Sequence, residues 1–386
     1  MKKKKIAVVI TSRASYARVK NLLKAIQNHK ELDLILIGAA SLMLEKYGNA
    51  HLIVAKEGFQ INEEVYTVVE GGNPITMAKT VGLGIIELAT IFNNHKPDIV
   101  VSIADRFETI ATAIAGAYLN IPVAHIQGGE VTGSIDEKVR HAVTKIASIH
   151  FVSHKVAAKR VRKMGENPDT IFITGCPSID LAEEVMNEKK NEFDLLDKYG
   201  GTGAKINLDN DFIIVMQHAV TTEYANSYND MWETLMAVEL QKIPAIIMWP
   251  NMDAGSDLIS KAIRVYRENI NPNNVHFLKN LEPKDFLRLL LKSRGIIGNS
   301  SVGIRECSFL GVPAVNIGTR QNGRARGNNV LDVHHDRDVV KEAIENYLLK
   351  SSRLPSSNLY GDGCAGEKIA DILNSVDLEI EKQFVD

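Results

Sequence analysis

The sequence predicts an α/β protein built from two doubly wound, Rossmann-like domains. Short apolar runs rich in β-branched residues alternate with longer amphipathic segments from the first residues onward, which is typical of parallel βαβ units. A stretch rich in Gly, Asn and Asp at 199–210 interrupts this alternation, and a second series follows it. The length of 386 residues exceeds one ordinary core and suits two domains of about 150–200 residues each.

Each series supplies enough buried strands for a parallel sheet. The first contains six predicted strands: Ile6–Ile10, Leu34–Ile37, Ile99–Ile103, Val123–Ile126, Ile149–Val152 and Ile171–Ile173. Helical patterns lie between them, notably over Thr76–Asn93 and Phe107–Leu119. The second series contains Phe212–Met216, Ala245–Met248, Val275–Leu278, Gly295–Ile297 and Ala314–Ile317.

We therefore expect a first domain over 1–198, a second over 199–363, and a final helix and tail over 364–386. The stretch at 199–210 is expected to be an exposed connection, and the final helix, around Cys364–Ser375, to cross back to the first domain. In doubly wound folds ligands bind at the carboxyl ends of the strands, so two such halves facing each other would close a cleft over a substrate.

Composition excludes several classes of function. Lys plus Arg (45) nearly balance Asp plus Glu (47), and a net charge of −2 gives no field that would collect nucleic acid or an acidic membrane. No stretch is expected to span a membrane, and the short apolar run after the N-terminal lysines is too short for an export signal. Three cysteines without metal-ligand spacing fit a reducing cytoplasm and predict no metal.

The predicted strand ends are unusually polar. A helix cap or turn is the plain explanation for any single Ser, Asn or Asp there, but capping does not require His, Arg or Gln. The residues in question follow seven strands: Thr11-Ser12-Arg13, Asp105-Arg106, Gln127 to Glu130, Gln217-His218, Asn251-Met252-Asp253, Gly298 to Ser301, and Gly318 to Gln321.

The segment Gly298 to Gly303 follows a strand and is expected to open the helix that contains Glu306. Its amides and hydroxyls could hold an anion at the positive end of that helix, which predicts a phosphate-binding loop. The loop is neither GxxxxGK[ST] nor GxGxxG, so a nucleotide triphosphatase or a dinucleotide dehydrogenase is not indicated. Glu306 could cap the helix or accept hydrogen bonds from ribose hydroxyls.

Acids and bases are concentrated between Glu130 and His141. Ser134 and Glu137 form a capping-box pattern, which explains Glu137 as well as a catalytic role does. Asp136 and Arg140 are spaced i, i+4 on one helix, so a structural ion pair is the plain alternative to a catalytic role for Asp136.

At these motifs the sequence resembles the hydrolysing UDP-N-acetylglucosamine 2-epimerases of sialic-acid pathways. The resemblance covers nearly the whole chain. Its motifs, in order, are Asp105-Arg106-Phe107, Gly128 to Gly133, Ile135-Asp136, Arg140-His141, Gln217-His218, Asp253 to Ser256, Gly298 to Ser301, and Gly318 to Gln321. It implies a GT-B-type fold, release of UDP with formation of N-acetylmannosamine, no cofactor or essential metal, and a homodimer or homotetramer in the cytoplasm.

The resemblance also implies roles for individual residues. The candidate catalytic residues are Asp105, Gln127, Glu130, Asp136 and His218, with His218 beside the phosphates. The candidate substrate-binding residues are Arg13, Arg106, Arg140, Asn251, Asp253, Asn299, Ser300, Ser301, Glu306, Arg320 and Gln321. Among these, Asn299, Ser300, Ser301 and Arg320 would hold the diphosphate, Glu306 the ribose, and Arg13 the nucleotide.

Two positions depart from the pattern of many relatives. Those relatives have Glu where this chain has Gln127, so Glu130 or Asp136 would have to supply a missing acid/base group. Relatives often have Asp where this chain has Ser15, so no role is transferred to Ser15.

Four other functions remain open from the sequence. A hydrolysing 2-epimerase of a nucleotide-linked 2,4-diacetamido-2,4,6-trideoxy hexose, as in legionaminic-acid-type pathways, has the same fold and motifs. A non-hydrolysing epimerase is disfavoured because Arg13 lacks the Pro-Glu that follows the matching Arg in those enzymes. A glycosyltransferase would need an acceptor site. A sensor that only binds a nucleotide sugar would not need acids in the domain opposite the phosphate loop.

Overall fold

The structure, a computed structural model, describes residues 3–133, 135–188, 195–250, 253–279, 281–377 and 381–385. It contains two compact units. Unit 1 comprises Met1–Val131, Ile135–Leu181 and Tyr360–Asp386, and unit 2 comprises Thr132–Ser134 and Ala182–Leu359. The chain thus passes from unit 1 to unit 2 after Leu181, earlier than the boundary expected after residue 198.

Unit 1 is built on a seven-stranded parallel sheet. Its strands lie in the order β3-β2-β1-β4-β5-β6-β7, with the bounds β1 Lys4–Ile10, β2 Leu32–Ala39, β3 Glu63–Val65, β4 Ile99–Ile103, β5 Val123–Ile126, β6 Ile149–Val152 and β7 Ile171–Ile173. The strand order reverses between β1 and β4, which defines the topological switch point of this sheet. The six strands predicted for this half are confirmed, and β3 is additional.

Helices cover both faces of this sheet because both faces of its strands are apolar. Ile6, Val8 and Ile10 pack with one set of buried side chains, while Ala7 and Val9 pack with another. Such two-sided burial explains why the strands are continuous apolar runs rather than alternating ones. The helices that begin in this unit are α1 Arg13–Asn28, α2 Ala50–Lys56, α3 Pro74–His95, α4 Thr109–Tyr118, α5 Ile135–Ile146, α6 Lys155–Lys163 and α7 Pro177–Asn187.

The end of the chain completes unit 1. The last helix, α14 (Ala365–Ser375), packs against α1, which confirms that it crosses back. Lys4 Nζ donates to the Leu373 and Asn374 carbonyls at its carboxyl end, at 3.0 and 2.8 Å. Farther on, Lys382 Nζ donates to the Lys145 and Ala147 carbonyls at the end of α5, at 2.6 Å each.

Unit 2 is built on a second seven-stranded sheet, in the order β14-β13-β12-β9-β10-β11-β8. Its strands are β8 Thr202–Gly203, β9 Ile213–Met216, β10 Ala245–Met248, β11 Val275–Leu278, β12 Gly295–Gly298, β13 Ala314–Ile317 and β14 Val330–Val333. Its helices are α8 Leu195–Tyr199, α9 Ser227–Gln241, α10 Ser256–Asn269, α11 Pro283–Lys292, α12 Glu306–Leu310 and α13 Arg337–Ala343, followed by a π-helical turn, Ile344–Leu348. The strand order reverses between β9 and β12, so this sheet has its own switch point. The five predicted strands are confirmed.

Two regions add to what the sequence predicts. The stretch at 199–210 is mostly exposed, as expected, but it also contains the short edge strand β8, which pairs antiparallel with β11; Gly201 and Gly203 (φ +109° and +101°) approach the backbone of β11 closely. The second region is α3, a 22-residue helix that is long and apolar enough, by length and composition alone, to span a membrane, which was not expected from the sequence. In the structure its Leu88 and Phe92 pack in the core of unit 1, as in the covering helix of an α/β layer.

Candidate functional site

Asp105 lies at the switch point of unit 1, directly after β4. It is 9% exposed and follows Ala104, whose left-handed backbone (φ +61°) turns the chain out of the strand. Arg18, on the helix that follows β1, places its Nη1 4.0 Å from the Asp105 carboxylate. The carboxylate thus lies where the two halves of the sheet diverge, which is the usual ligand position in this kind of sheet.

Arg140 joins helix α5 to the same carboxylate. Its guanidinium is 1% exposed and contacts the Asp105 carboxylate through Nη2. The plain alternative offered by the sequence, an ion pair with Asp136, did not anticipate this contact, because helical spacing reveals only neighbours on the same helix. Two cationic side chains therefore hold Asp105, and such neighbours favour a charged carboxylate.

The other acids of α5, Asp136 and Glu137, are partly exposed. Asp136 is in the first helical turn and is half-buried. Glu137 Oε1 is 2.9 Å from His141 Nε2, and Arg140 Nη1 lies 3.9 Å from Glu137 Oε2. The capping box expected from Ser134 lies outside the described residues.

The loop after β5 places Gln127 and Glu130 in separate contacts. Gln127 is 2% exposed, has a left-handed backbone (φ +68°), and donates from Nε2 to the Cys176 sulfur at 2.6 Å. Glu130 is 1% exposed and accepts from the Ser153 hydroxyl at 2.7 Å. Only glycine fits at position 129, because a Cβ there would lie 2.3 Å from the Ala157 carbonyl oxygen.

Arg13 and Arg106 follow the strands on either side of the switch point. Arg13 is the first residue of α1 and is half-buried. Arg106 is also half-buried, but its Nε donates to Glu108 at 2.7 Å. A role for Arg106 in binding would thus involve its remaining guanidinium nitrogens.

The switch point of unit 2 is bridged by Asn299 and His218. Asn299 Oδ1 accepts from the His218 backbone N–H at 2.7 Å, while Asn299 Nδ2 donates to the His218 carbonyl at 2.8 Å. These reciprocal bonds join the end of β9 to the end of β12. Both ends of the Asn299 side-chain amide are therefore bonded to protein backbone. This geometry favours a structural role for the side chain over the expected contact with a diphosphate.

The loop after β12 offers its own polar groups rather than a long helix. Only glycine fits at position 298, because its backbone is left-handed (φ +128°) and a Cβ there would lie 2.2 Å from the Met216 carbonyl oxygen. Ser300 then caps a short 3₁₀ turn, Ser301–Gly303, and α12 is only five residues long. The sequence therefore predicted the position of the loop correctly. The polar groups there are the amides and hydroxyls of the loop itself, because no long helix follows to supply a dipole.

Arg320 is held beside this loop. Its Nη1 lies 3.4 Å from the Asn299 carbonyl, and its Nη2 lies 3.9 Å from the Asp253 carboxylate. Gln321 Nε2 donates to the same Asn299 carbonyl at 2.9 Å, and the Gln321 carbonyl accepts from Arg326 at 2.9 Å. Three expected binding residues, Asp253, Arg320 and Gln321, are therefore gathered around Asn299, whereas Asn251 lies outside the described residues.

Glu306 and Cys307 lie behind the loop. Glu306 is 6% exposed, and among the described residues its Oε2 has no hydrogen-bond partner while its Oε1 is 3.5 Å from Arg305. A buried carboxylate oxygen of this kind can accept a hydroxyl group of a ligand. Burial and the neighbouring Glu306 raise the pKa of the Cys307 thiol well above its usual range, which disfavours the thiolate form.

The sequence missed residues that the structure brings to the unit 1 site. Arg18 is five positions beyond Arg13 in α1, and its only signal was a cation near the start of the first helix. His125 was visible as a polar residue inside the apolar run Val123–Ile126. Cys176 and Ser153 have no local signal, because their partners are distant in the chain. Among the described residues, no group of three or more His, Cys, Asp or Glu side chains is arranged to hold a metal ion.

Two α/β units, each with polar groups at the switch point of its own sheet, define a two-domain α/β protein whose candidate ligand positions lie at the carboxyl ends of the strands. The family model for UDP-N-acetylglucosamine 2-epimerase matches residues 24–374. The chain belongs to this family, as the sequence motifs predicted.

Relatives with curated names include hydrolysing enzymes. The chain is 31% identical over 375 residues to a UDP-N,N'-diacetylbacillosamine 2-epimerase (hydrolyzing) of Legionella pneumophila, covering 97% of each chain. It is 29% identical to a UDP-N-acetylglucosamine 2-epimerase of Neisseria meningitidis, covering 99% of each. Among solved structures, the S. aureus MnaA–UDP complex has a TM-score of 0.77 at 17% identity and covers 96% of each chain, which shows that the fold is shared.

Proposed function

We propose that this protein is a hydrolysing 2-epimerase that converts UDP-N-acetylglucosamine and water to UDP and N-acetylmannosamine, for nonulosonate synthesis of the sialic-acid type. The observation that carries the proposal is Asp105, a carboxylate held by Arg18 and Arg140 at the switch point of unit 1. Binding alone does not call for a carboxylate at this place in the fold, whereas acid/base chemistry on a sugar does.

The reaction requires the C1–oxygen bond to break before the C2 hydrogen can be removed. Carbon 2 has no neighbouring carbonyl, so its hydrogen is too weakly acidic for direct removal by a carboxylate. Departure of UDP leaves an oxocarbenium-like centre at C1, which acidifies the C2 hydrogen, and a base then removes that proton to give 2-acetamidoglucal. Water adds at C1 while C2 is reprotonated from the opposite face, which gives the manno configuration.

The residues of unit 1 supply the acid/base part of this scheme. Asp105 and Asp136 are proposed to act at C1 and C2, and anionic carboxylates also stabilise the cationic transition state. Glu130 is the third candidate, although its contact with Ser153 makes it a less available base. Gln127, whose side-chain amide is neutral and engaged with Cys176, is proposed to orient the substrate or a water rather than to transfer a proton.

The residues of unit 2 supply the donors for the diphosphate. Ser300, Ser301, His218 and Arg320 are proposed to stabilise the charge that develops on UDP as it leaves. Asn299, Gln321 and Asp253 hold this group in place through the contacts described above. Glu306 is proposed to accept the ribose hydroxyls with its buried oxygen.

A second candidate has the same chemistry on a different sugar. The relative at 31% identity is a hydrolysing enzyme for UDP-N,N'-diacetylbacillosamine, and another at 30% identity, from Campylobacter jejuni, is named for GDP/UDP-N,N'-diacetylbacillosamine. These names favour a 2,4-diacetamido-2,4,6-trideoxy sugar as the alternative substrate. All the residues discussed above face C1, C2 or the nucleotide in our scheme, so none of them selects between the two sugars at C4 and C6.

The test is to incubate the purified protein in D₂O with each sugar nucleotide and to follow the products by NMR. We expect free UDP and the 2-epimerised sugar with deuterium at C2, because elimination detaches that hydrogen and readdition draws on a solvent-exchanged donor. The preferred sugar is the one with the higher kcat/KM. The epimerase proposal is rejected if neither substrate gives a product with inverted configuration at C2. UDP-N-acetylmannosamine as the stable product would indicate a non-hydrolysing enzyme instead.

The remaining proposals concern cofactors, assembly and place in the cell. We expect turnover to survive EDTA, and a loss restored by magnesium or zinc would contradict a metal-free reaction. A homodimer or homotetramer in the cytoplasm is proposed from the family, and a light-scattering mass equal to one chain would count against it.

A further inference from the structure

His125 is a polar side chain in the apolar strand β5. It is fully buried (0% exposed) and lies two residues before Gln127. A buried imidazole costs free energy unless its nitrogens are hydrogen-bonded. Both nitrogens of His125 have partners: Nε2 is 2.8 Å from the Ala104 carbonyl oxygen, and Nδ1 is 3.1 Å from the Thr144 hydroxyl.

The chemistry of these partners fixes the state of the ring. A carbonyl oxygen can only accept, so Nε2 carries the proton and donates it to Ala104. Burial lowers the pKa of His125 to about 3, although the bond to Ala104 opposes this shift, so the ring is neutral near pH 7. Nδ1 of the neutral ring is then an acceptor. The single proton of the Thr144 hydroxyl is within reach of both Nδ1 and the Arg140 carbonyl, so the hydroxyl links the ring to α5 by donating to one or the other.

The two partners of His125 lie on either side of the Asp105–Arg140 contact. Ala104 directly precedes Asp105 and has the left-handed backbone (φ +61°) that turns the chain out of β4. Thr144 is one helical turn beyond Arg140 on α5, and its hydroxyl also lies 2.9 Å from the Arg140 carbonyl. The ring is therefore bonded to the backbone that aims the carboxylate and to the helical turn that carries its cation.

We propose that His125 is a positioning residue for Asp105: its imidazole fixes the strained backbone before the carboxylate and holds α5 at the distance that Arg140 needs. The strain of a non-glycine residue at positive φ persists only where surrounding contacts determine it, and the Nε2 bond is such a contact. The space is also closed, because a Cβ at Gly128 would lie 2.9 Å from the Thr144 hydroxyl and 3.1 Å from His125 Nδ1. The effect of His125 on turnover rests on the proposed function, whereas its effect on the Ala104 backbone does not.

A neighbouring histidine provides a matched control. His150 on β6 is the register partner of His125, is equally buried (0% exposed), and its Nε2 lies 3.0 Å from Glu166 instead of the backbone before Asp105. Substitution at either position therefore removes a buried imidazole from the same sheet, so the two variants share that general cost. Only His125 contacts Ala104 among the hydrogen bonds described for the two rings.

The kinetic test is a double-mutant cycle. Asn places its amide near the Nδ1 position and withdraws from Ala104, whereas Gln keeps an N–H near the Nε2 position. We expect His125→Asn to lower kcat by about 10-fold or more with little change in the affinity for UDP, since small misplacements of a catalytic group are costly. His125→Gln should restore much of the loss, and His125→Asn should have no further effect in an Asp105→Asn background.

The backbone itself supplies the second readout. Amide hydrogen exchange at 104–108 should accelerate in His125→Asn and stay unchanged in His150→Asn when the two are compared at equal intervals below their melting temperatures. Unchanged exchange at 104–108 in His125→Asn overturns the inference, even if the wild type proves inactive and the proposed function fails. In an active enzyme, an equal fall in kcat with and without Asp105, or the same fall in His150→Asn, also overturns it.

Discussion

The two switch points are bridged by different chemistry. In unit 1 the carboxylate after β4 meets two guanidinium groups, from α1 and α5. In unit 2 the end of β12 meets the end of β9 through a neutral side-chain amide that bonds both ways to the His218 backbone. The same α/β plan thus carries a charged cluster in one unit and a neutral frame in the other.

In the proposed reaction, the two switch points have different tasks. A neutral amide bound to backbone fixes the loop geometry without depending on pH, which suits the repeated binding of one diphosphate group. A carboxylate flanked by cations retains its charge and its position, which suits a group that must exchange protons or stabilise a cation. We therefore expect mutations at the first switch point to act on turnover and mutations at the second to act on both binding and turnover.

The largest effect is expected for the carboxylates. Asp105→Asn and Asp136→Asn each preserve shape and remove charge, so each should lower kcat by roughly 10²–10⁴-fold, the usual range for a positioned acid or base. Affinity for UDP should hardly change, which isothermal titration can verify. The exposed Asp169→Asn in the same unit is the control. A variant of Asp105 that weakens UDP binding as much as it slows turnover would remove the distinction between the two switch points.

Arg320→Ala should produce the next effect. Arg320 is a permanent cation beside the Asn299 loop, and a diphosphate carries charge both before and after bond cleavage. KM should rise and kcat should fall, with a loss in kcat on the order of 10²-fold if Arg320 acts as one donor to the leaving group. Arg264→Ala, an exposed arginine of α10 in unit 2, controls for loss of positive charge. An Arg320 variant that loses kcat at constant KM would mean that the loop acts only in the transition state.

The smallest effect on catalysis, and a clear one on stability, is expected at Glu166. Burial alone would raise its pKa, but contacts with His150, Lys145 and Lys382 outweigh burial and lower the pKa of Glu166 to about 2. Because this folded-state pKa lies below the ordinary value of 4.5, the charged form stabilises unit 1 above about pH 4.5, and that contribution disappears as the pH falls toward 2.

Thermal unfolding of Glu166→Gln should therefore show a loss at pH 7 on the order of 3 kcal/mol, which shrinks as the pH is lowered below 4.5. Glu87→Gln, at an exposed position of α3, should show neither the loss nor its pH dependence. A Glu166 deficit that stays constant down to pH 3 would show that packing, not charge, accounts for it.

The sequence predicted the central strands and one edge strand, β7, but missed the other three sheet edges. Central strands are buried on both faces, so they appear as unbroken apolar runs such as Ile99–Ile103. The missed strands are edges, and two of them are short and polar or glycine-rich: Glu63–Val65 and Thr202–Gly203. Edge strands owe their form to one neighbour, β2 or β11 here, and no local pattern identifies that neighbour.

The candidate site was predicted by position more successfully than by contact. Strand ends identify where polar groups gather, and Asp253, Arg320 and Gln321 do gather around Asn299. Which atoms meet depends on the fold. Arg140, which also lies near its helical neighbour Glu137, contacts Asp105 after β4, and the Asn299 side chain bonds to the His218 backbone. Periodicity carries no information about either pairing, because both link residues far apart in the chain.

The return of α14 and Lys382 to unit 1 affects how the protein is made. Unit 2 consists almost entirely of one continuous segment, Ala182–Leu359, whereas unit 1 needs residues from both ends of the chain. During synthesis the ribosome releases every residue of unit 2 before α14 can reach α1, so the domain that begins first is completed last. Until then, the apolar side chains of α1 that α14 covers lack that cover.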